Sequence, residues 1–273
     1  MSRGLLDDVT LQLIASKMPD VDKLNKLVMP LPPDFISLKF GYTSTVPIAA
    51  VCLQDTVNTL FEAKYALHEV YAHRIYYLEK TTKPNEMAAI YFSKFYSDDI
   101  ALRLYAATEH LASAIIAMLE INREEIIKIR KADRKISSAS AIGSFLLKQM
   151  SGHSITKAIS DLIKCDEWKK IMDYRNKWVH EQPPLMEGMG IVWKRKILWE
   201  NEGEDGTAVK SQKLTIGNGA KPDIAVNDLI YIAERAFNKF VETTGFVVNF
   251  YIDLLTNSGI KIEDNKVSLN PFG

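Results

Sequence analysis

From Ile48 to Lys80 the chain runs without a Gly or Pro, while Val51, Val57, Leu60, Phe61, Tyr65, Leu67, Val70, Tyr71 and Ile75 recur at intervals of mostly three and four. This spacing predicts one long helix. Pro84 closes the connection, and a second helical pattern runs from about Asn85 to Asn122 through Leu102, Leu104, Tyr105, Leu111, Ile115 and Leu119. Two such segments joined by a short link predict an antiparallel pair, and a third pattern from Asp228 to Leu255, interrupted at Gly245, predicts a helix packing back on them.

Around this frame the chain divides by its punctuation. Residues 1–47 read as an amino-terminal arm, helical up to the stop at Pro30, Pro32 and Pro33, followed by a mixed stretch in which Phe35, Ile36, Leu38 and Phe40 alternate partly as a strand would. Residues 48–273 read as one helical bundle domain. Shorter helices are expected over Ala141–Met150 and Ser154–Ile163, and another over 166–182, with Asp166 as N-cap and Pro183-Pro184 as its stop. Beyond it the period changes to that of strands. Ile191–Glu200 and Val209–Ile216 flank Gly203-Glu204-Asp205-Gly206, which predicts a β-hairpin inserted at about 188–218. The expected architecture is mainly α, a bundle of long antiparallel helices carrying an inserted β-hairpin.

Apolar residues make up 47% of the chain and charged residues 25%, which is ordinary globular usage. Lys plus Arg and Asp plus Glu each number 34, so there is no global basic field and any nucleic-acid site must be local. The dense run at 123–136 sets Arg123, Lys128, Arg130, Lys131, Arg134 and Lys135 against Glu124, Glu125 and Asp133; it reads as a solvated helical face, with an RNA-facing surface as the alternative. Cys52 and Cys165 have no zinc-like spacing and read as reduced core residues. The amino terminus reaches Asp7-Asp8 too early for a signal peptide, and no uninterrupted apolar stretch approaches the roughly 20 residues that span a bilayer, so the expected location is cytoplasmic.

The chemistry concentrates at one helix end, Arg175-Asn176-Lys177-Trp178-Val179-His180. At about 100° per residue, Met172, Arg175 and Val179 fall within roughly 40° of Trp168, which puts Arg175 inside an apolar arc that Ile171, Tyr174 and Trp178 extend on one side. A guanidinium placed there keeps its charge and needs an anion, either a carboxylate or a phosphate. Asn176 and His180, four apart, share the opposite flank, where the helix dipole favours a cationic imidazole. A proton carrier, a cation and an amide together suit RNA cleavage by the 2′-hydroxyl, which requires no metal or cofactor. Tyr174 or Trp178, where exposed, would stack a base.

Simpler roles compete at each position. Arg175 could pair with Glu109 of the second long helix as a structural salt bridge, or Glu109 could position the arginine within a working site; His180 could cap terminal carbonyls. His68, His73, His110 and His153 read as core or surface groups, and no metal site is proposed. Trp193, Arg195, Ile197 and Trp199 share one strand face and Lys194 and Lys196 the other, a pattern for packing on the bundle or for binding single-stranded RNA. Gly217-Asn218-Gly219 reads as a turn.

The spacing Arg175-Asn176, three residues, His180 at a helix end resembles the signature of the HEPN (higher eukaryotes and prokaryotes nucleotide-binding) superfamily, Arg followed by four to six residues and His, usually with a polar residue directly after the Arg. The resemblance implies an all-α bundle that dimerises so that motifs from two protomers line one cleft, with metal-independent endoribonuclease activity in many members. It implies Arg175, Asn176 and His180 as catalytic residues, beside which Tyr174, Trp178 and Glu109 are read from their own placement as substrate-side neighbours. It further implies RNA or a nucleotide as ligand, a toxin–antitoxin or antiphage setting, and an antitoxin protein as partner. Some members are noncatalytic modules that bind nucleotide, RNA or protein, which is the alternative. Position 183 is Pro, so the variant signature with Tyr three residues after the His is absent.

Overall fold

The computed structural model describes residues 4–181, 184–189, 194–202, 208–215, 222–263 and 266–269. Its helices are α1 (Asp8–Ser16), α2 (Val21–Val28), α3 (Pro33–Phe40), α4 (Val46–Ile75), α5 (Glu86–Met118), α6 (Arg123–Ala132), α7 (Ser138–Gln149), α8 (Ser154–Lys164), α9 (Asp166–His180) and α10 (Val226–Asn257). The protein is mainly helical. Strand segments Lys194–Glu202 and Ala208–Thr215 pair antiparallel, as do Ile260–Glu263 and Lys266–Leu269.

The α4–α5 pair forms the spine. At 30 and 33 residues, the two helices are each about 45–50 Å long at the usual rise. Three cross-links fix their antiparallel register: Thr45 Oγ1 donates to the Ala117 carbonyl at 2.8 Å, Arg103 pairs with Glu62, and the His73 ring stacks on Phe92 at 4.4 Å. Leu53, Leu60 and Leu67 of α4 and Leu104 and Leu111 of α5 are fully buried at seven-residue spacing. Buried alanines beside them, Ala49, Ala63, Ala66, Ala101, Ala107 and Ala114, let the backbones approach closely. The first helix ends in a π-helical turn at Tyr76–Lys80. By length and composition α5 could cross a bilayer, but half of its most apolar window is buried inside the protein against its neighbours.

The third long helix lies against this spine and runs unbroken through Gly245, where the sequence pattern suggests an interruption. A side-chain carbon at that position would stand 3.4 Å from Leu24, an ordinary van der Waals contact, so the packing of α2 on α10 does not require the glycine. Tyr251 and Tyr71 bind α10 to α4, donating to the Val46 carbonyl and to Glu234 at 2.7 Å each. Each such bond contributes on the order of 1 kcal/mol. The 34–47 stretch is also helical in its first half. Pro33 sits at the first helical position, where its missing N–H costs nothing, Ile36 is fully buried, and Gly41 at φ 84° ends the helix. The partial alternation of Phe35, Ile36, Leu38 and Phe40 therefore does not make a strand.

Side-chain caps start most of the remaining helices. Asp7, Asp20, Asn85, Asn122, Ser137 and His153 each accept a backbone N–H two or three residues on. The short α6 is exposed apart from Ile126 and the half-buried Ile129, and it leads through Asp133–Ser137 into α7.

Candidate functional site

The last turns of α9 carry the predicted cluster. The helix begins without a side-chain cap: Cys165 occupies the N-cap position, and Asp166 stands at the first helical residue, contrary to its expected capping role. Asp166 and Glu167 still place negative charge at the amino end, and Lys177 and His180 positive-capable groups at the carboxyl end, as the dipole favours. Gln182 and Pro183 lie outside the described residues.

The buried face of α9 consists of Trp168, Ile171 and Tyr174, so its centre is Ile171. Trp168 stacks on Phe240 of α10 at 5.2 Å. Tyr174 donates to Asp98 of α5 at 2.5 Å, and Lys94 pairs with the other oxygen of the same carboxylate at 2.6 Å. Burial, reinforced by the Asp98 charge, pushes the Tyr174 hydroxyl far above its ordinary range. Tyr174 thus anchors α9 and does not present its ring to a base, while Trp178 is half-buried.

Arg175 lies at the edge of that face, half-buried. Its guanidinium carbon sits 3.7 Å from the centre of the Tyr105 ring, a close cation–π contact. Nη1 lies 3.1 Å from Asn176 Oδ1 and 3.3 Å from His180 Nε2, and buried Nε has no hydrogen-bond partner among the described residues. Nor does Arg175 form an ion pair with any described carboxylate. Glu109, proposed as its partner, instead accepts the Ala139 N–H at the start of α7 at 3.2 Å. The positive charge is thus held by the Tyr105 ring and the side chains of Asn176 and His180, without a counter-charge from the described part of the chain.

Asn176 and His180 are exposed. A guanidinium only donates, so the contact between Arg175 Nη1 and His180 Nε2 is a hydrogen bond in the tautomer that carries its proton on Nδ1. His180 faces the arginine and makes no bond to the terminal carbonyls among the described residues. Arg175, Asn176 and His180 therefore form one contiguous group at an open helix end.

Sequence reasoning missed Tyr105, Asp98 and Lys94. The signal was present as the seven-residue step from Asp98 to Tyr105, which puts both on the face of α5 that receives α9. Elsewhere, His73 is buried and stacked among Phe92, Tyr96 and Tyr77, with Glu69 at 3.4 Å; burial, partly opposed by Glu69, lowers its basicity. Cys52 and Cys165 are free and half-buried. The side-chain faces predicted over 193–199 and the turn at 217–219 lie outside the described residues.

A family model described as HEPN_Cthe2314-like HEPN matches residues 52–218, which includes the Arg175–His180 segment. No curated protein and no solved structure matches the chain.

Proposed function

The chain belongs to the HEPN superfamily, and from that membership we propose that it is a metal-independent endoribonuclease whose working group is Arg175, Asn176 and His180. The observation that carries this reading is the guanidinium set 3.1 Å from Asn176 and 3.3 Å from His180 with no described carboxylate to neutralise it. A phosphodiester supplies the anion that such an arginine needs.

In the proposed reaction the ribose 2′-oxygen attacks the adjacent phosphorus while the bond to the 5′-oxygen breaks. The products are a 2′,3′-cyclic phosphate and a 5′-hydroxyl. His180 takes the 2′-hydroxyl proton through a ring nitrogen released from Arg175 as the guanidinium turns to the phosphate, Arg175 stabilises charge on the phosphorane oxygens, and Asn176 orients the arginine through its side-chain oxygen. In-line displacement needs a proton donor on the far side of the phosphorus. One helix end offers a single histidine, and the second would come from a partner protomer, so the reading includes a homodimer with a composite cleft. We also read residues 1–47 as a covering arm on the 48–273 bundle. The strand pair at 194–202 and 208–215 is taken as an inserted β-hairpin, which its antiparallel register supports. A toxin–antitoxin or antiphage setting, with an antitoxin protein as partner, remains part of the proposal.

The test is RNA cleavage by wild type and by His180→Ala, with helicity and unfolding midpoint measured on both. Loss of cleavage by at least 100-fold in a folded variant is expected, the usual scale for removing a proton-transfer group. Equal cleavage by the two proteins would refute the assignment. A noncatalytic binding module predicts a different pattern, with RNA binding indifferent to His180→Ala, weakened by Arg175→Ala, and no cleavage by either.

A further inference from the structure

Although the chain has no net charge, its cations are not evenly neutralised. Among the described residues several cations of α4, α5 and α9 have carboxylate partners: Lys64 with Asp22, Lys94 with Asp98, Arg103 with Glu62 and Asp99, Lys177 with Asp173. The junction of α6 and α7 gathers four cations within residues 130–135. Arg130, Lys131, Arg134 and Lys135 are all exposed, and none forms an ion pair with a described residue. The single carboxylate among them, Asp133, accepts the Lys135 N–H. Helix-dipole compensation accounts for Arg130 and Lys131 in the last turn of α6, but not for Arg134 and Lys135 beyond its end.

A series of contacts through α5 and the start of α7 links this cationic strip to the candidate site. Arg175 rests on Tyr105. Glu109 stands one turn along α5, about 5.4 Å further, and accepts the Ala139 N–H. The neighbouring Ser138 hydroxyl receives Arg130 Nη1 at 3.0 Å. The α7 amino terminus is thus already occupied by Glu109, so what the junction offers an incoming anion is its four side-chain cations. Apart from Ile127 at the middle of α6, the strip presents no large exposed apolar residue. An exposed set of Lys and Arg without ion pairs or apolar anchors fits a phosphate backbone better than a protein surface.

We infer that Arg130, Lys131, Arg134 and Lys135 form a track that holds the phosphates of single-stranded RNA flanking the bond presented to Arg175 and His180. The inference rests on the endoribonuclease reading for its ligand and extends it to the substrate's length. An RNA long enough to reach from α9 to the α6–α7 junction is held more tightly than one that fills only the helix end. Sequence preference is not expected from the track, because phosphate contacts position a strand without reading its bases.

The test uses the full chain carrying His180→Ala, compared with the same chain also carrying Arg130→Ala, Lys131→Ala, Arg134→Ala and Lys135→Ala. A fluorescein-labelled 20-nucleotide RNA is titrated by anisotropy over a series of salt concentrations. The four substitutions are expected to weaken binding at least tenfold near 0.1 M salt. They should also reduce the slope of log K against log salt by about 3, since each single-strand phosphate contact contributes roughly 0.7. On the catalytically intact chain, cleavage of a trinucleotide should be unaffected by the four substitutions, whereas KM for the 20-mer rises. Unchanged affinity and salt slope, or no binding of the 20-mer by the His180→Ala chain, would overturn the track. The two readings fail separately. His180-dependent cleavage with an unaltered salt slope removes the track alone, and track-dependent RNA binding without any cleavage removes the endoribonuclease alone.

Discussion

At the scale of single residues the account turns on how Arg175 is held. A charged group at the edge of a buried face must be fixed by its surroundings, and here the largest contact is the Tyr105 ring, 3.7 Å away. A cation–π contact of this kind is worth about 0.5–2 kcal/mol. Tyr105→Leu is therefore expected to lower kcat by roughly 2- to 30-fold with a smaller change in KM, while Tyr105→Phe, which keeps the ring, should retain most activity. Equal losses in the two variants, measured on an RNA substrate, would show that the ring does not position the arginine. Arg175, Asn176 and His180 were legible in the sequence because spacing alone puts them at one helix end. Tyr105 was not, because a tyrosine in a long apolar helix has the same signature whether it packs in the core or carries a guanidinium. Glu109 was misread for a related reason: its level on α5 is right for Arg175, but a backbone N–H of α7, invisible to side-chain patterning, takes its oxygen.

Among the elements, α9 matters most, since it delivers the whole cluster and is held to the spine by few polar contacts. The Tyr174–Asp98–Lys94 chain joins it to α5, and Trp168 on Phe240 joins it to α10. Tyr174→Phe removes a hydrogen bond to a buried charged group and is expected to destabilise the protein by about 1.5–3 kcal/mol, read from urea unfolding. A change below about 0.5 kcal/mol would mean that packing alone seats α9. The three long helices were readable because their apolar periods run for many turns. The 34–47 segment was not, since a helix of two turns entered through prolines offers too few periods to distinguish from alternation. The supposed interruption at Gly245 reversed for a different reason: one glycine costs a helix only about 1 kcal/mol, which the packing of a 32-residue helix overrides.

On the scale of the whole molecule, the bundle buries one group whose protonation works against folding. His73 lies among three aromatic rings, and burial holds its imidazole below the ordinary histidine value. The unfolded chain therefore binds this proton first as pH falls. Stability should be complete above about pH 6.5 and decline below it as pH falls towards the lower folded value. His73→Phe should flatten that decline in urea midpoints measured at about pH 7.5 and pH 5; an unchanged slope would place the acid sensitivity elsewhere. The helical class was evident from long-range periodicity, and the family from six residues at the end of one helix. The distribution of unpaired cations around the site was not, because ion pairing depends on which helices become neighbours. The central claim is that Arg175 and His180 cleave RNA through its own 2′-hydroxyl, and the most direct measurement is the chemistry of the cut ends in excess chelator. The account predicts 2′,3′-cyclic phosphate and 5′-hydroxyl termini, with no cut at a nucleotide lacking its 2′-hydroxyl. Termini of the 3′-hydroxyl and 5′-phosphate type, produced only when divalent metal is present, would contradict it.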